Sequence, residues 1–529
     1  MRLCFGEAPL APCGGSAGPL LSMPALGMPL GPEMTQNTKL TVTLAITVAL
    51  AALIELHATG INGPSYWTWS WRVLNPWQVY PLTLLAAVPV FLAQAVYRES
   101  RARTLAAILL LMVGMFASEL AWRAAEKTPQ VPDVVQFVVK STVESGYFRQ
   151  AWELFVRDGM SVQEYLRHYP DLMPKFYMHP SVRPPAAILF YLPFLRIWNN
   201  VDDAAYAAGI ALGVLATFGL PATYALLRVL TGNASAAFAA ASFLALCPGM
   251  IGFFPGFDQV YPVFTALLVI PWVWGLRHNR PAWSAAFGLI LALCCLQTHG
   301  ILMLGVFLGA WSVAWAIYNR NMNGWRRLAL ATCIALASLV AFYTLFWLAT
   351  DFDPIRTIRV TLLNQRKILD ELKGSWQRPW PLTVPWDIYD VILGTGWISV
   401  WLMICYFVSA RKTASHQAPP CTDKSAATPA NGATAPFREI PQPLLCVLCL
   451  LQPIAIAVLH VLPGETARLY AFMFPLVLVP VGLELAHWPR NHRLVIYACV
   501  WLLGAAVLRN MLFFWTLYYY LYQSGAVHP

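Results

Sequence analysis

Charged residues are scarce in this 529-residue sequence, and several catalytic motifs are missing from it. Asp, Glu, Lys and Arg occupy 11% of the positions, against roughly a quarter in an ordinary soluble domain. No cysteine stands at a paired metal-ligand spacing with histidine, and H-E-x-x-H, G-x-x-x-x-G-K-[ST] and G-x-G-x-x-G are absent. The missing motifs exclude a zincin-type metalloprotease, a P-loop enzyme and a dinucleotide-binding enzyme.

The sequence consists largely of long apolar runs. Hydrophobic residues make up 58% of the chain, and they recur in stretches of about twenty residues, the length that spans a bilayer as a helix. The pattern predicts an all-α membrane protein, a polytopic bundle of about thirteen transmembrane helices with short extracytoplasmic loop helices. We expect the spans near residues 38–56, 79–97, 104–122, 204–228, 235–250, 260–276, 282–298, 300–318, 328–349, 390–408, 442–461, 467–486 and 494–514.

One further apolar segment, residues 184–198, is too short to cross and holds three prolines, which favours a half-helix. With this segment non-spanning and the N-terminus cytoplasmic, most Arg and Lys residues of the short loops fall on the cytoplasmic side. The formal charge of +10 therefore indicates membrane orientation, and we expect no nucleic-acid partner.

The chain divides into four parts. Residues 1–37 are predicted to be a disordered tail or a mis-annotated start, and residues 411–441, rich in Ala, Pro, Thr and Ser, a flexible cytoplasmic linker. Residues 38–410 form the main bundle, and residues 442–529 carry the C-terminal spans. Two long external loops, 123–183 and 350–389, are the expected location of a site.

The first external loop holds three candidate residues. Asp133 opens a short helix with Gln136 three positions later, so it is either an N-cap or a general base. Ser161 and Glu164 form a second capping-box pattern, which indicates a folded layer of helices. His179 and Arg183 stand beside prolines, where they are either interfacial anchors or part of a phosphate site.

Further candidates lie in the other external loops. Asp258 precedes a span, where it either caps the helix or lines a site. Glu465 and Arg468, three positions apart, form either a local ion pair or part of a site. His299 lies in a short external loop. The mixture of Lys, Arg and Trp in loop 350–389 is typical of a membrane interface and suits anionic headgroups.

These features resemble the GT-C superfamily of integral membrane glycosyltransferases, especially the polyprenol-phosphate-mannose-dependent and protein O-mannosyltransferase-like bacterial branches. The similarity covers roughly residues 104–515 and rests on three segments: PDVVQF around Asp133, RPPAAILFYLPF from Arg183, and ETARLYAFMFP from Glu465. The resemblance implies that one sugar passes from a polyprenyl-phosphate donor to a hydroxyl on a glycan, lipid or protein acceptor.

The same resemblance implies roles for individual residues. Asp133 would be the catalytic base, with Glu119 and Glu126 as rivals, while Arg183 and Arg468 would bind the donor phosphate. The supporting residues would be His179, Asp258, His299 and Glu465. No cofactor is required, although a divalent cation could be recruited by carboxylates. The implied location is the cytoplasmic membrane of a bacterium, with the active face extracytoplasmic and membrane lipids as partners.

Two other functions remain open on the sequence. A transporter or flippase of a lipid-linked envelope precursor would also have many spans and basic external loops, but it predicts ionisable residues within the spans. A non-enzymatic scaffold for envelope assembly predicts that replacing Asp133, Arg183 or Arg468 changes abundance but no product.

Overall fold

The computed structural model describes residues 34–61, 69–71, 73–125, 146–177, 179–320, 323–371, 380–416, 438–460 and 466–513. Within them the chain is almost entirely helical. The α-helices are α1 (Gln36–Glu55), α2 (Pro76–Val96), α3 (Arg101–Ala125), α4 (Tyr147–Trp152), α5 (Val162–Leu172), α6 (Ala186–Leu189), α7 (Leu192–Ile197), α8 (Val201–Thr217), α9 (Gly219–Thr231), α10 (Ala234–Leu244), α11 (Pro248–Ile251), α12 (Tyr261–His278), α13 (Pro281–Gln297), α14 (Gly305–Tyr318), α15 (Gly324–Thr350), α16 (Pro354–Glu371), α17 (Thr383–Thr395), α18 (Trp397–His416), α19 (Gln442–Leu459), α20 (Thr466–Leu469), α21 (Phe474–Ala486) and α22 (Arg490–Asn510).

The chain is an integral membrane protein. In the described part, nine helical segments are long and apolar enough to cross a bilayer, and α17 with α18 adds a tenth if this pair, bent by 98°, is one span. The predicted spans near 235–250, 282–298 and 467–486 correspond to shorter apolar helices of 10–17 residues. Every predicted span coincides with apolar helix, but the count of thirteen is not confirmed.

Close helix contacts hold the bundle together. α2 lies against α3 at Gly114, where a Cβ atom would come within 2.6 Å of Val90 Cγ2, so only glycine permits this approach. Helices α1 and α21 are joined by a buried ion pair between Lys39 Nζ and Glu484 Oε1, 2.5 Å long. α15 is the peripheral exception, because only 11% of its apolar window is buried.

The membrane helices carry a folded layer at one end, the loop face, formed by residues 146–177, 179–200, 252–260, 298–300, 351–371 and 466–470. This layer has its own apolar cluster, in which Phe148, Tyr165, Tyr169 and Tyr191 are almost fully buried. The helix predicted from the Ser161 capping pattern is confirmed as α5, because the Ser161 hydroxyl accepts a hydrogen bond of 3.1 Å from the Glu164 N–H. Residues 184–198 form the short helices α6 and α7.

A short β pairing departs from the all-α expectation. Strand β1 (Trp69–Trp71) pairs antiparallel with strand β2 (Met511–Phe513), and Ser70 lies opposite Leu512. The last helix ends at Asn510, short of the predicted end at 514. The residues that follow it, Met511–Phe513, form backbone hydrogen bonds with β1 and no longer continue the helix.

Candidate functional site

A cleft opens on the loop face. It encloses about 510 Å³ of empty space, including its open mouth, and polar groups from distant parts of the chain meet in it. It is lined by Tyr147, His179, Arg183, Tyr191, Phe253, Pro255, Gly256, Phe257, Asp258, Tyr261 and Arg468. Four residues singled out from the sequence, His179, Arg183, Asp258 and Arg468, are thus brought together.

Arg183 is fixed at both its backbone and its side chain. It follows a short 3₁₀ turn (Pro180–Val182), and its carbonyl accepts a hydrogen bond of 2.5 Å from the Tyr169 hydroxyl. Its guanidinium Nη1 donates to Thr298 Oγ1 at 2.5 Å and to the Tyr261 hydroxyl at 3.3 Å. Because these partners come from three separate elements, the guanidinium is held in one orientation toward the cleft.

Asp258 lies between the two arginines. Its Oδ1 is 3.5 Å from Arg183 Nη2, and its Oδ2 is 3.4 Å from Arg468 Nε. The turn that carries it is a 3₁₀ turn (Phe257–Val260), closed by a 3.3 Å hydrogen bond from the Gly256 N–H to Gln259 Oε1. The carboxylate thus faces the cleft and links both cations.

Two buried side chains, Arg123 and Asp390, form hydrogen bonds with the backbone of segments that line the cleft. Arg123, at the end of α3, donates hydrogen bonds to the carbonyls of Gly252 at 2.7 Å and Phe254 at 2.8 Å. Asp390 on α17 is 1% exposed, and its Oδ2 accepts a hydrogen bond of 2.7 Å from the Ala467 N–H. Since Ala467 precedes Arg468, this bond sets the position of the second guanidinium.

Charge in the cleft is unbalanced. Among the described residues, the lining contains two guanidiniums and one carboxylate, and Arg183, Asp258 and Arg468 expose only 21%, 10% and 11% of their side chains. Burial opposes the charge on Arg183, but Tyr261, Tyr147 and Asp258 raise the pKa of its guanidinium, so it stays protonated. The geometry therefore favours an anion that accepts hydrogen bonds from both arginines.

Two other titratable groups that line the cleft, His179 and Tyr147, are neutral at neutral pH. Burial, followed by the positive charges of Arg468 and Arg183, lowers the pKa of His179 to about 3. Burial also raises the pKa of the Tyr147 phenol, against the opposite effect of Arg183. At neutral pH these groups can exchange hydrogen bonds with a ligand without adding charge.

The remaining sequence candidates lie elsewhere or outside the described residues. His299 begins a 3₁₀ turn next to Thr298, close enough to Arg183 to interact with its charge. Glu119, on α3, is fully buried and does not line the cleft. Its side chain packs against α8, where a Cβ on Gly213 would lie 3.0 Å from the Glu119 Oε2. Asp133, Glu126 and Glu465 lie outside the described residues.

Sequence reasoning missed Tyr147, Thr298, Tyr261 and Asp390. A tyrosine or threonine next to an apolar run has no distinctive spacing, so no local signal marks the first three. Asp390 did offer a signal, since a carboxylate inside an apolar helix is costly unless it has a partner.

Among the described residues, no group of three or more His, Cys, Asp or Glu side chains could hold a metal ion.

A scan against protein-family models, a search of curated proteins and a search of solved structures each found no match to this chain. The cleft is therefore interpreted from its own geometry and chemistry.

Proposed function

We propose that the protein is a membrane glycosyltransferase of the GT-C type, which moves a sugar from a polyprenyl-phosphate donor to a hydroxyl acceptor on the extracytoplasmic face. The observation that carries the proposal is the paired placement of Arg183 and Arg468 around Asp258 in a cleft above the membrane helices. Two preorganised guanidiniums suit the negative charge that develops on a departing phosphate.

In the proposed reaction the acceptor oxygen attacks the anomeric carbon, the bond from that carbon to the phosphate oxygen breaks, and the lipid phosphate leaves. The acceptor proton passes to a carboxylate, for which Asp133 is the candidate. Arg183 and Arg468 stabilise the leaving phosphate. Asp258 keeps the two like charges together when no donor is bound, and neutral His179 and Tyr147 orient the sugar or phosphate through hydrogen bonds.

The isoprenoid tail needs an apolar path from the cleft to the bilayer. The segment α6–α7 supplies one, since Tyr191 lines the cleft and Ile197 at the far end is 68% exposed. Phe190 and Phe194 belong to the same segment, with ring centroids 5.4 Å apart. We place the tail along this segment, with the bound lipid and the surrounding bilayer as partners.

The finer topology belongs to the same proposal. Nine long spans, the bent pair and three shorter apolar helices give thirteen crossings if every short helix crosses a locally thin or protein-filled layer. We place the N-terminus in the cytoplasm and the protein in the cytoplasmic membrane of a bacterium, so that the loop face is extracytoplasmic.

The test is sugar transfer by purified protein in nanodiscs, with radiolabelled polyprenyl-phosphate sugars as donors and envelope extract as acceptor. Arg183→Gln and Arg468→Gln should each lower transfer about 10²- to 10³-fold, as expected when one group that stabilises a transition-state charge is lost. Asp133→Asn should abolish it. Arg157→Gln is the matched control, because Arg157 is an exposed loop-face arginine paired with Asp158 at 2.8 Å. Equal activity in the control and the cleft variants would contradict the proposal.

One observation favours the transporter or flippase alternative. Glu119 is fully buried in α3, and its carboxylate oxygens accept no hydrogen bond from any described residue, which is costly within a membrane. Vesicles that carry fluorescent polyprenyl-phosphate sugar distinguish the two functions. Movement of the lipid between leaflets without sugar transfer, lost in Glu119→Gln, would support the flippase.

A further inference from the structure

Helix α16 has an exposed face that is unusual for the loop face. The helix packs inward through Thr357 and Thr361, which are 1% and 5% exposed, and Asn364 Nδ2 donates a 2.8 Å hydrogen bond to the Ser181 carbonyl. The opposite side presents four large apolar residues. They are Ile355, Ile358, Leu362 and Leu363, exposed by 80%, 44%, 62% and 58%.

The neighbouring helix α5 shows what a water-facing helix of this layer looks like. An ion pair of 2.5 Å joins Arg356 of α16 to Asp171 of α5, and a second, of 2.6 Å, joins Arg167 of α5 to Asp351 in the connection that precedes α16. The exposed positions of α5 beyond its N-cap are all polar, namely Gln163, Glu164, Arg167, His168 and Asp171. Two adjacent helices with such different exposed faces meet different surroundings.

The position of α16 in the chain indicates what those surroundings are. α15 ends at Thr350, and three residues later α16 begins at Pro354. The last turns of α15 expose Leu345 and Leu348 by 67% each, as expected of a helix that faces lipid. The apolar face of α16 therefore continues from a lipid-facing surface, at the level where the bilayer meets water.

Two arginines complete the exposed face. Arg359 and Arg366 are exposed, and each lies one helical turn after an exposed apolar residue, Ile355 and Leu362 respectively. Apolar residues with interspersed arginines are the composition of a helix that lies in the membrane plane, with apolar side chains between acyl chains and guanidiniums at phosphate level.

We propose that α16 lies in the membrane interface and binds the headgroups of anionic phospholipids through Arg359 and Arg366, with Ile355, Ile358 and Leu362 inserted among the acyl chains. Through Asn364 and the Ser181 carbonyl, the lipid-bound helix also anchors the segment that carries His179 and Arg183. This lipid site is separate from the cleft, and it requires no sugar transfer.

Hydrogen–deuterium exchange of the full chain in nanodiscs tests the proposal. Nanodiscs of phosphatidylcholine alone are compared with nanodiscs that contain phosphatidylglycerol, and α5 is the internal control. Backbone amides of α16 should exchange more slowly in the anionic nanodiscs, while those of α5 should not change. Equal exchange of α16 in both nanodiscs would overturn the role of the arginines. Protection of α16 that comes with a doubled particle mass would also overturn the proposal, because a second copy of the chain would then cover the face.

A matched pair of variants measures the headgroup preference. Arg359→Gln with Arg366→Gln should lower the retention of phosphatidylglycerol relative to phosphatidylcholine by roughly 25-fold, or about fivefold for each basic residue at an anionic surface. Arg149→Gln with Arg157→Gln removes the same charge from exposed loop-face positions whose ion-pair partners, Glu153 and Asp158, lie outside α16, and should leave the lipid ratio unchanged. Native mass spectrometry of the purified protein counts both lipids. An unchanged ratio in the α16 variant, or an equal loss in the control, would refute the proposal.

Discussion

Replacing Asp258 with asparagine tests the charge arrangement of the cleft without assuming a reaction. The substitution keeps the shape of the side chain and removes the charge between two guanidiniums, 3.5 Å and 3.4 Å away. At an effective dielectric constant of about 20, each contact contributes roughly 5 kcal/mol of gross attraction. Desolvation and the partial exposure of Arg183 offset most of this, so we expect a net loss of about 2–4 kcal/mol.

The variant should therefore be less stable alone and more responsive to anions. With the carboxylate gone, the two arginines repel each other, and an added phosphate or pyrophosphate takes over its role. We expect a lower midpoint of thermal unfolding in detergent, and at least about tenfold tighter pyrophosphate binding, which corresponds to ~1.4 kcal/mol. Differential scanning fluorimetry gives the midpoint, and titration calorimetry the affinity.

Asp171→Asn is the matched control, because Asp171 is a half-exposed loop-face carboxylate paired with one arginine, Arg356, at 2.5 Å. It should change the unfolding midpoint little and the pyrophosphate affinity not at all. If Asp258→Asn binds pyrophosphate no more tightly than the unmodified protein, Arg183 and Arg468 do not form one anion site, and the assignment of the cleft is refuted.

The remaining predictions concern a histidine and a buried carboxylate. The pKa of His179 lies near 3 in the folded protein and near 6.5 when exposed, so its neutral form stabilises the fold above pH 6.5, and that contribution disappears as the pH falls toward 3. In His179→Gln the midpoint of thermal unfolding should therefore fall less steeply between pH 6.5 and pH 3. An unchanged slope would contradict the lowered pKa. Asp390→Asn should raise the KM for the donor, and this loss should be larger in free energy than the loss in the free energy of unfolding, because the hydrogen bond from the Ala467 N–H to Asp390 positions Arg468. If the midpoint of thermal unfolding falls while the affinity for pyrophosphate stays constant, Asp390 has only a packing role.

Much of the fold follows from hydropathy, because a chain in lipid must satisfy its own backbone hydrogen bonds and so becomes helical wherever it is apolar. The number of crossings does not follow. A hydropathy window responds equally to α15, which is 27 residues long, and to α10, which has 11. It also cannot detect the 98° bend between Thr395 and Trp397, because the bend lies at Gly396, whose φ of 87° has no counterpart in a hydropathy value.

The site was predictable to the extent that cations beside membrane helices are costly. Arg183 and Arg468 could be selected for that reason, and the structure brings them to one carboxylate although 285 residues separate them. The choice of Asp258 as that carboxylate could not be made from local sequence, because a helix-capping aspartate has the same appearance. Thr298 could not be selected for a similar reason, since it acts through a contact with a distant part of the chain.

Fixed charge in the cleft has a consequence for any reaction there. Arg183 and Arg468 remain protonated at every physiological pH, His179 is neutral above about pH 3, and the raised pKa of Tyr147 keeps its phenol neutral. None of these groups titrates between about pH 4 and pH 8. Carboxyls, with a reference pKa of about 4, can titrate there when their pKa is raised. A step in the pH dependence of transfer within that range must therefore come from a carboxyl or from the donor phosphate. If Asp258→Asn preserves that step, the step belongs to another carboxyl or to the donor phosphate, and Asp258 with the arginine pair serves only to bind the phosphate.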